Sequence, residues 1–315
     1  MAFSFDSGVG LSAGKPGMRE GRVVRTHSNI CYVLAEGRQV ECVLRGRLKR
    51  EDRRAMVGDR VLFTSQVGGG GVIEEILPRT TVLARPPVAN VDQAIVVFTI
   101  KQPDLNRLLL DRFLVVAERA GLSPVLCLNK VDLATPDEVE RMREIYRPAG
   151  YEVLPVSAKK GQGLDQVRAH IGDRLSVLAG PSGVGKSTLL NALVPGLSLR
   201  TGEVSAKIQR GTHTTRHVEL VQVEGLGAIA GAVADTPGFT GVDIADLAPA
   251  DLAPCFPEVE RLSQGCRFQG CLHHKEPDCA VKVAAGTADL AVSRYENYVS
   301  LLEELLKAEK HKYHH

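Results

Sequence analysis

The stretch GPSGVGKS at 180–187 constrains this chain more than any other. It satisfies G-x-x-x-x-G-K-[ST], and it lies between an apolar run, LSVLAG, and a run with helical spacing, KSTLLNAL. Strand, glycine loop and helix form the context in which this pattern works. Glycines let backbone N–H groups turn inward around phosphate oxygens, and the helix N-terminus adds partial positive charge. The pattern assigns Gly180, Pro181, Ser182, Gly183, Val184 and Gly185 to a phosphate cradle. Lys186 then reaches the β and γ phosphates, the Ser187 hydroxyl ligates Mg²⁺, and Thr188 joins the nucleotide-binding set. Such a loop demands an α/β sheet to hold it.

That sheet is visible in the surrounding texture. AIVVFTI (94–100), PVLCL (124–128), YEVLPV (151–156) and LSVLAG (175–180) are apolar runs of buried-strand length. NRLLLDRFLVVAERAG and PDEVERMREIYRPAG between them have helical spacing, and RHVELVQVEG and GAIAGAVADTPG add two strands. The expectation is a doubly wound α/β domain over about 90–242. Upstream, GRVVR, ICYVLA, QVECVL, DRVLFTSQ and GVIEEIL predict five short strands between 20 and 83, hence a small barrel. Periodicity leaves OB-type and SH3-like barrels both open. Residues 19–60 hold eleven Arg/Lys against six Asp/Glu, while the rest of the chain holds 28 against 31. The excess sits on the barrel, and a basic OB barrel is a frequent RNA binder.

Phosphate binding does not identify a base, but NKVD at 129–132 does. A carboxylate at Asp132 can accept from two N–H groups, which guanine presents and adenine does not. A buried carboxylate left unpaired is costly, so one residue discriminates strongly and an ATPase reading is disfavoured. Asn129 and the Lys130 stem support the ring and loop. Ser157-Ala158-Lys159 ends the next strand and matches the S-A-K loop that covers guanine in GTPases. DTPG at 235–238 places Asp235 at a strand end, to hold Mg²⁺ through water, and Gly238 where its N–H meets the γ-phosphate. The elements run NKVD, SAK, phosphate loop, DTPG. Ras-like chains put the phosphate loop first, so the order resembles a circular permutation, which is tolerable where the joined ends are close and exposed.

Between the phosphate loop and DTPG lies KIQRGTHTTRHVEL. A threonine here closes over Mg²⁺ and the γ-phosphate, with Thr215 the first choice and Thr214 the second. Ras-like enzymes orient the attacking water with a Gln after the DTPG-type motif, but Phe239 stands there and cannot. His213 is the nearest group able to position water, or else it serves only to pack or meet a partner.

Seven cysteines are present, and three crowd into 266–279. Cys266-x4-Cys271-x-His273-x5-Cys279 matches a closed Cys₃His zinc site, a structural staple with no open position; His274 is a rival ligand. Cys31, Cys42, Cys127 and Cys255 are expected to pack as small hydrophobes. A free-thiol pattern fits a reducing compartment, so a cytoplasmic location is expected. No apolar stretch approaches the roughly 18 residues of a membrane span, and residues 1–19 have the composition of a disordered lead-in. The last helix carries an apolar stripe at Tyr295, Tyr298, Leu301, Leu302, Leu305 and Leu306.

Together these motifs closely resemble the bacterial ribosome-small-subunit-dependent GTPases, a circularly permuted family that matures the 30S subunit. The resemblance spans about 20–310 and includes RPPVANVDQ (85–93) and the Cys-x4-Cys-x-His-x5-Cys spacing. It implies an N-terminal OB-fold (20–84), a central permuted P-loop GTPase domain (85–242) and a C-terminal zinc-binding domain ending in a helix (243–315). It implies weak GTP hydrolysis to GDP and phosphate, stimulated by the 30S subunit during late assembly; 16S-type rRNA is the expected partner, and a monomer with no membrane contact is expected. A GTP-gated ribosome-binding module with incidental hydrolysis is the alternative. The family's switch usually reads G-R-H-T-T-T and its histidine is taken as catalytic. Here GTHTTR carries over His213, Thr214 and Thr215, with Thr212 in place of the arginine and Arg216 in place of the last threonine.

Overall fold

The computed structural model describes residues 17–50, 54–66, 69–84, 87–194, 196–197, 218–223, 231–235 and 242–312. Its first unit is built by alternation. β1 (Arg19–His27), β2 (Ile30–Ala35), β3 (Arg38–Leu44), β4 (Arg60–Ser65) and β5 (Gly71–Ile76) point every second residue into a shared interior. Cys31, Val33 and Ala35 from one strand meet Val61, Phe63 and Ile73 from others there. The strand order is β1-β2-β3-β5-β4, β3 pairs β5 in parallel, and β4 returns to β1. This closed five-stranded Greek-key path, with a short helix α1 (Gly46–Arg50) between β3 and β4, is the OB-type answer that periodicity left open. Arg38, Arg45, Arg47, Arg54 and Arg60 are exposed on it, although Arg60 pairs with Glu20 and Arg45 with Glu74.

A hairpin of β6 (Val82–Ala84) and β7 (Pro87–Ala89) leads out of the barrel. It is tied back by Arg79, which grips the buried Asp59, and by Asn90, whose amide donates to the Gly58 carbonyl at 3.1 Å. The second unit then alternates strand and helix. It comprises β8 (Gln93–Thr99), α2 (Arg107–Arg119), β9 (Ser123–Asn129), α3 (Pro136–Tyr146) and β10 (Val153–Pro155). After these come α4 (Leu164–Ile171), β11 (Leu175–Ala179), α5 (Lys186–Leu193), β12 (Glu219–Gln222) and β13 (Ala232–Asp235). All seven residues of β8 are buried, as a central parallel strand requires. Helix starts follow local chemistry: Asn106 caps α2, and Thr135 with Glu138 forms a capping box on α3. Gly121 just past α2 adopts φ +70°, the left-handed turn that commonly ends a helix.

The sheet order is β10-β9-β8-β11-β13-β12, with only β12 antiparallel. Phe113, Leu114, Met142 and Tyr146 of α2 and α3 fill one face, and Val167, Ile171, Leu189 and Leu193 of α4 and α5 fill the other. β11, which carries the phosphate loop, lies centrally between β8 and β13. The sheet does not stop at β12, because β1 of the barrel pairs along its outer edge at Arg25 and Glu219. Val24 and Leu34 of the barrel share a core with Val218 and Leu220.

The C-terminal segment has little regular structure of its own until α6 (Pro257–Ser263), α7 (Ala280–Ala284) and the long α8 (Val292–Lys312). Tyr298, Leu301, Leu302 and Leu305 are buried and Tyr295 and Leu306 partly so, which makes the predicted stripe the inner face of α8. Among the described residues no helix is long and apolar enough to cross a membrane. Residues 1–16 of the lead-in lie outside the described residues, as does the switch with Thr212, His213, Thr214, Thr215 and Arg216. Gly238, Phe239 and the side chain of Asp235 lie outside them too.

Candidate nucleotide site and metal centre

The phosphate loop leaves β11 at Ala179 and enters α5 at Lys186. Two of its glycines are required by their surroundings. Gly180 has φ +134°, and a Cβ there would sit 2.2 Å from the Val97 carbonyl oxygen of the neighbouring strand. Gly185 has φ +93°, and a Cβ would sit 2.5 Å from Asn129 Nδ2. The missing side chain at 185 is what lets the phosphate loop touch the NKVD loop.

That contact is made by Asn129, which is buried at the end of β9. Its Nδ2 donates to the Val184 carbonyl at 2.9 Å, and its Oδ1 accepts from the Ala158 N–H at 3.1 Å. One side chain therefore locks NKVD to both the phosphate loop and the SAK loop. Lys130, in the left-handed region at φ +58°, adds a second lock. Its Nζ donates to the carbonyls of Gly183 at 2.8 Å and Gln102 at 2.5 Å. Permutation separates these elements in sequence, and the sheet order brings them back to one edge.

Asp132 is held by two neighbours. The Ser157 hydroxyl donates to its Oδ1 at 2.6 Å, and Lys160 Nζ lies 3.7 Å from Oδ2. The Ser157 bond, with help from Lys160, keeps the Asp132 carboxyl below its ordinary range, so it is charged and accepting at neutral pH. Lys159 itself is exposed, and Ala158 is buried beneath Asn129. Lys186 Nζ donates to the carbonyls of Gly180 at 2.8 Å and Pro181 at 2.7 Å. Burial pulls its pKa down to about 8, a cost that phosphate oxygens beside it would offset. Ser187 and Thr188 follow on the half-buried first turn of α5.

The second cluster lies in the C-terminal segment. One ligand atom each from Cys266, Cys271, His273 and Cys279 lies within 4.8 Å of every other. Cys266 and Cys279 Sγ are 3.8 Å apart, and His273 Nδ1 is 3.5 Å from each. Bonds of about 2.3 Å to sulfur and 2.0 Å to nitrogen in a tetrahedron give edges of roughly 3.8 and 3.5 Å. The donor set and its spacing therefore fit Zn²⁺. His274 turns away, with Nε2 3.5 Å from Glu303, so the rival ligand is not in the cluster. Surrounding groups fix the loop. Glu276 accepts from the N–H groups of Leu272 and His274, and Tyr295 and Tyr298 donate to the carbonyls of His273 and Leu272. The other four cysteines are buried, and burial raises their thiols to about 11 or 12, as expected of packing residues.

Sequence reasoning missed three participants. Lys160 and the Gln102 carbonyl act only through three-dimensional proximity, and no pattern marks them. Arg294 is the third. It is 1% exposed at the start of α8, ion-paired to Asp111 of α2 and Glu258 of α6 at 2.7 Å each.

The comparisons with known proteins agree with this geometry. Residues 76–245 match the model of the RsgA GTPase family, and residues 20–73 match that of the RsgA N-terminal domain. A small ribosomal subunit biogenesis GTPase RsgA from Geobacillus thermodenitrificans is 45% identical over 291 residues, covering 91% of this chain and 98% of the relative. Its namesake from Caldanaerobacter subterraneus is 43% identical, covering 93% and 98%. The crystal structure of YjeQ from Thermotoga maritima superposes with a TM-score of 0.80 at 40% identity, covering 92% of this chain and 99% of that one. That of YloQ, a circularly permuted GTPase, gives 0.78 at 37% identity, covering 92% and 96%. On the barrel, the permuted sheet and this breadth of likeness, the chain belongs to the RsgA GTPase family.

Proposed function

We propose that this chain binds GTP, docks on the small (30S) ribosomal subunit and its 16S-type rRNA, and hydrolyses GTP to GDP and phosphate late in subunit maturation. The subunit stimulates the turnover. The observation that carries the reading is the Asn129 lock, which joins a guanine reader to a phosphate loop in one rigid edge. Relatives named for small ribosomal subunit biogenesis at 43–45% identity supply the partner.

In this reading Asp132 selects guanine, with Asn129, Lys130, Ser157, Ala158 and Lys159 shaping its slot. The loop from Gly180 to Gly185 cradles the phosphates, with Lys186, Ser187 and Thr188 at the helix start. Mg²⁺, held by Ser187 and Thr215 with Asp235 behind water, neutralises charge on the phosphoryl oxygens. Gly238 senses the γ-phosphate, and His213 positions water in place of the glutamine that Phe239 replaces. Cys266, Cys271, His273 and Cys279 hold one structural Zn²⁺. The parts divide as 20–84, 85–242 and 243–315, after a lead-in at 1–19, and the protein works as a cytoplasmic monomer.

Phe239 favours a second reading, in which GTP only locks a ribosome-binding shape and hydrolysis is incidental. Turnover titrated with isolated small subunits separates the two. At least tenfold stimulation is expected of the enzyme, and none of the module.

A further inference from the structure

The chain has eight Phe, six Tyr and no Trp. Every described aromatic is buried or half-buried except Phe268, which is 44% exposed. A single exposed ring is ordinary on a protein surface and by itself carries nothing. What distinguishes this one is how it is presented. Phe268 sits in the short loop between Cys266 and Cys271, two members of the Cys/His cluster, so the loop is pinned at both ends. The Arg267 guanidinium lies over its ring, 5.5 Å from the centroid. Asp278 fixes that guanidinium in turn, at 2.9 Å. The result is a pre-oriented pair of flat groups, a ring and a guanidinium plane, facing solvent.

The charges around the pair are sorted as well. Both carboxylates of the segment are spent internally, Glu276 on backbone N–H groups and Asp278 on Arg267. Lys275 and Lys282 are exposed on the same segment, Lys282 donating to the Glu276 carbonyl at 3.1 Å, and neither has a carboxylate partner among the described residues. An aromatic face with an arginine plane beside it, on a segment that also exposes two lysines, suits an unpaired nucleobase and its phosphates better than an apolar protein pocket.

Building on the small-subunit RNA as partner, we propose that loop 266–271 is a stacking platform for an unpaired base of that RNA. Phe268 and Arg267 form the stack, and Lys275 and Lys282 meet the flanking phosphates.

The test is equilibrium binding of Phe268→Ala, Phe268→Tyr and Phe268→Leu to purified small subunits at fixed salt, with zinc content per chain as the check on folding. Phe268→Ala should bind about 5- to 100-fold more weakly, the range carried by one base–aromatic stack. Phe268→Tyr should bind within about threefold of the parent, and Phe268→Leu should resemble Ala. Parent-like binding by Phe268→Ala overturns the platform. So does full rescue by Leu, which would identify an apolar protein pocket. Failure of the parent to bind subunits would instead count against the functional reading.

Discussion

Arg294→Met probes how the C-terminal segment is fastened to the GTPase body. Arg294 is fully enclosed, with its guanidinium 4.4 Å from the Phe256 ring centroid and 5.3 Å from that of Tyr146. It donates to Asp111 on α2 and to Glu258 on α6, while Asn297 and Tyr146 also donate to Asp111. Methionine fills much of the volume but leaves two buried carboxylates without their cation. Removing one partner of a buried ion pair costs about 3–5 kcal/mol. A single unfolding free energy is poorly defined in a chain with three parts, so local opening of α2 and α8 should be read by hydrogen exchange. Slow amides of both helices should exchange roughly 10²- to 10⁴-fold faster in Arg294→Met. Adding Asp111→Asn and Glu258→Gln, which removes the orphaned charges, should recover part of the loss. If exchange in α8 changes less than about fivefold, the buried triad is not the fastening and the reasoning is wrong.

The remaining predictions concern the nucleotide. Asp132→Asn should lower GTP affinity at least about tenfold and improve xanthosine triphosphate binding, measured by calorimetry; retained GTP preference would falsify the guanine assignment. Gly185→Ala should raise the GTP dissociation constant at least about fivefold, because φ +93° and the 2.5 Å approach to Asn129 cannot both survive a methyl group. Lys186 makes affinity pH-dependent. Its free-state pKa is about 8 and phosphate favours the charged form, so affinity is level below pH 8 and falls above it by up to about tenfold per unit. Lys186→Arg, which stays charged, should flatten the profile, and an unchanged slope would exclude Lys186 as its origin. His213→Ala should abolish most subunit-stimulated turnover and spare nucleotide affinity; full turnover in the variant removes His213 from the chemistry.

Much of this was legible in sequence because the motifs encode local backbone chemistry. All five barrel strands appear where alternation placed them, and the phosphate loop follows a strand and opens a helix as its glycines require. The Cys/His spacing singled out the four residues that converge, since ligands so close in sequence have few ways to be apart. Other features depend on pairings between distant segments. The β3–β5 parallel pairing that decides the barrel type joins strands with β4 between them in sequence, and no residue pattern announces it. Arg294 is 183 residues from Asp111, and in sequence each looks like a solvated charge on a helix. The Lys130 bond to the Gln102 carbonyl uses a backbone acceptor that every residue type would supply.

The order of the motifs has a physical consequence that differs from the simplest expectation. Permutation sends the chain from DTPG directly into the cysteine segment, so nucleotide state is expected to be felt there first. Yet that segment is fastened to α2, by the Arg294 triad and by Arg112–Glu304 and Arg119–Asp246 pairs. α2 follows β8, not the switch, so the segment is expected to move with the body of the domain. The barrel is attached differently. Its β1 takes the free edge of β12, the strand that residues 211–217 feed into, and among the described residues the seam carries one ladder pair, Arg25 with Glu219. Arg25 also stacks on Tyr32 at 4.0 Å, and Val24 packs in the same core as Leu220. A displacement of β12 must therefore be followed by the barrel or broken at this seam, while α8 stays with α2. Distances measured between spin labels on α2, α8 and β3 with GDP and with a GTP analogue distinguish the cases. The α2–α8 distance should hold constant while β3 shifts, and a change in α2–α8 alone would return the switch to the cysteine segment.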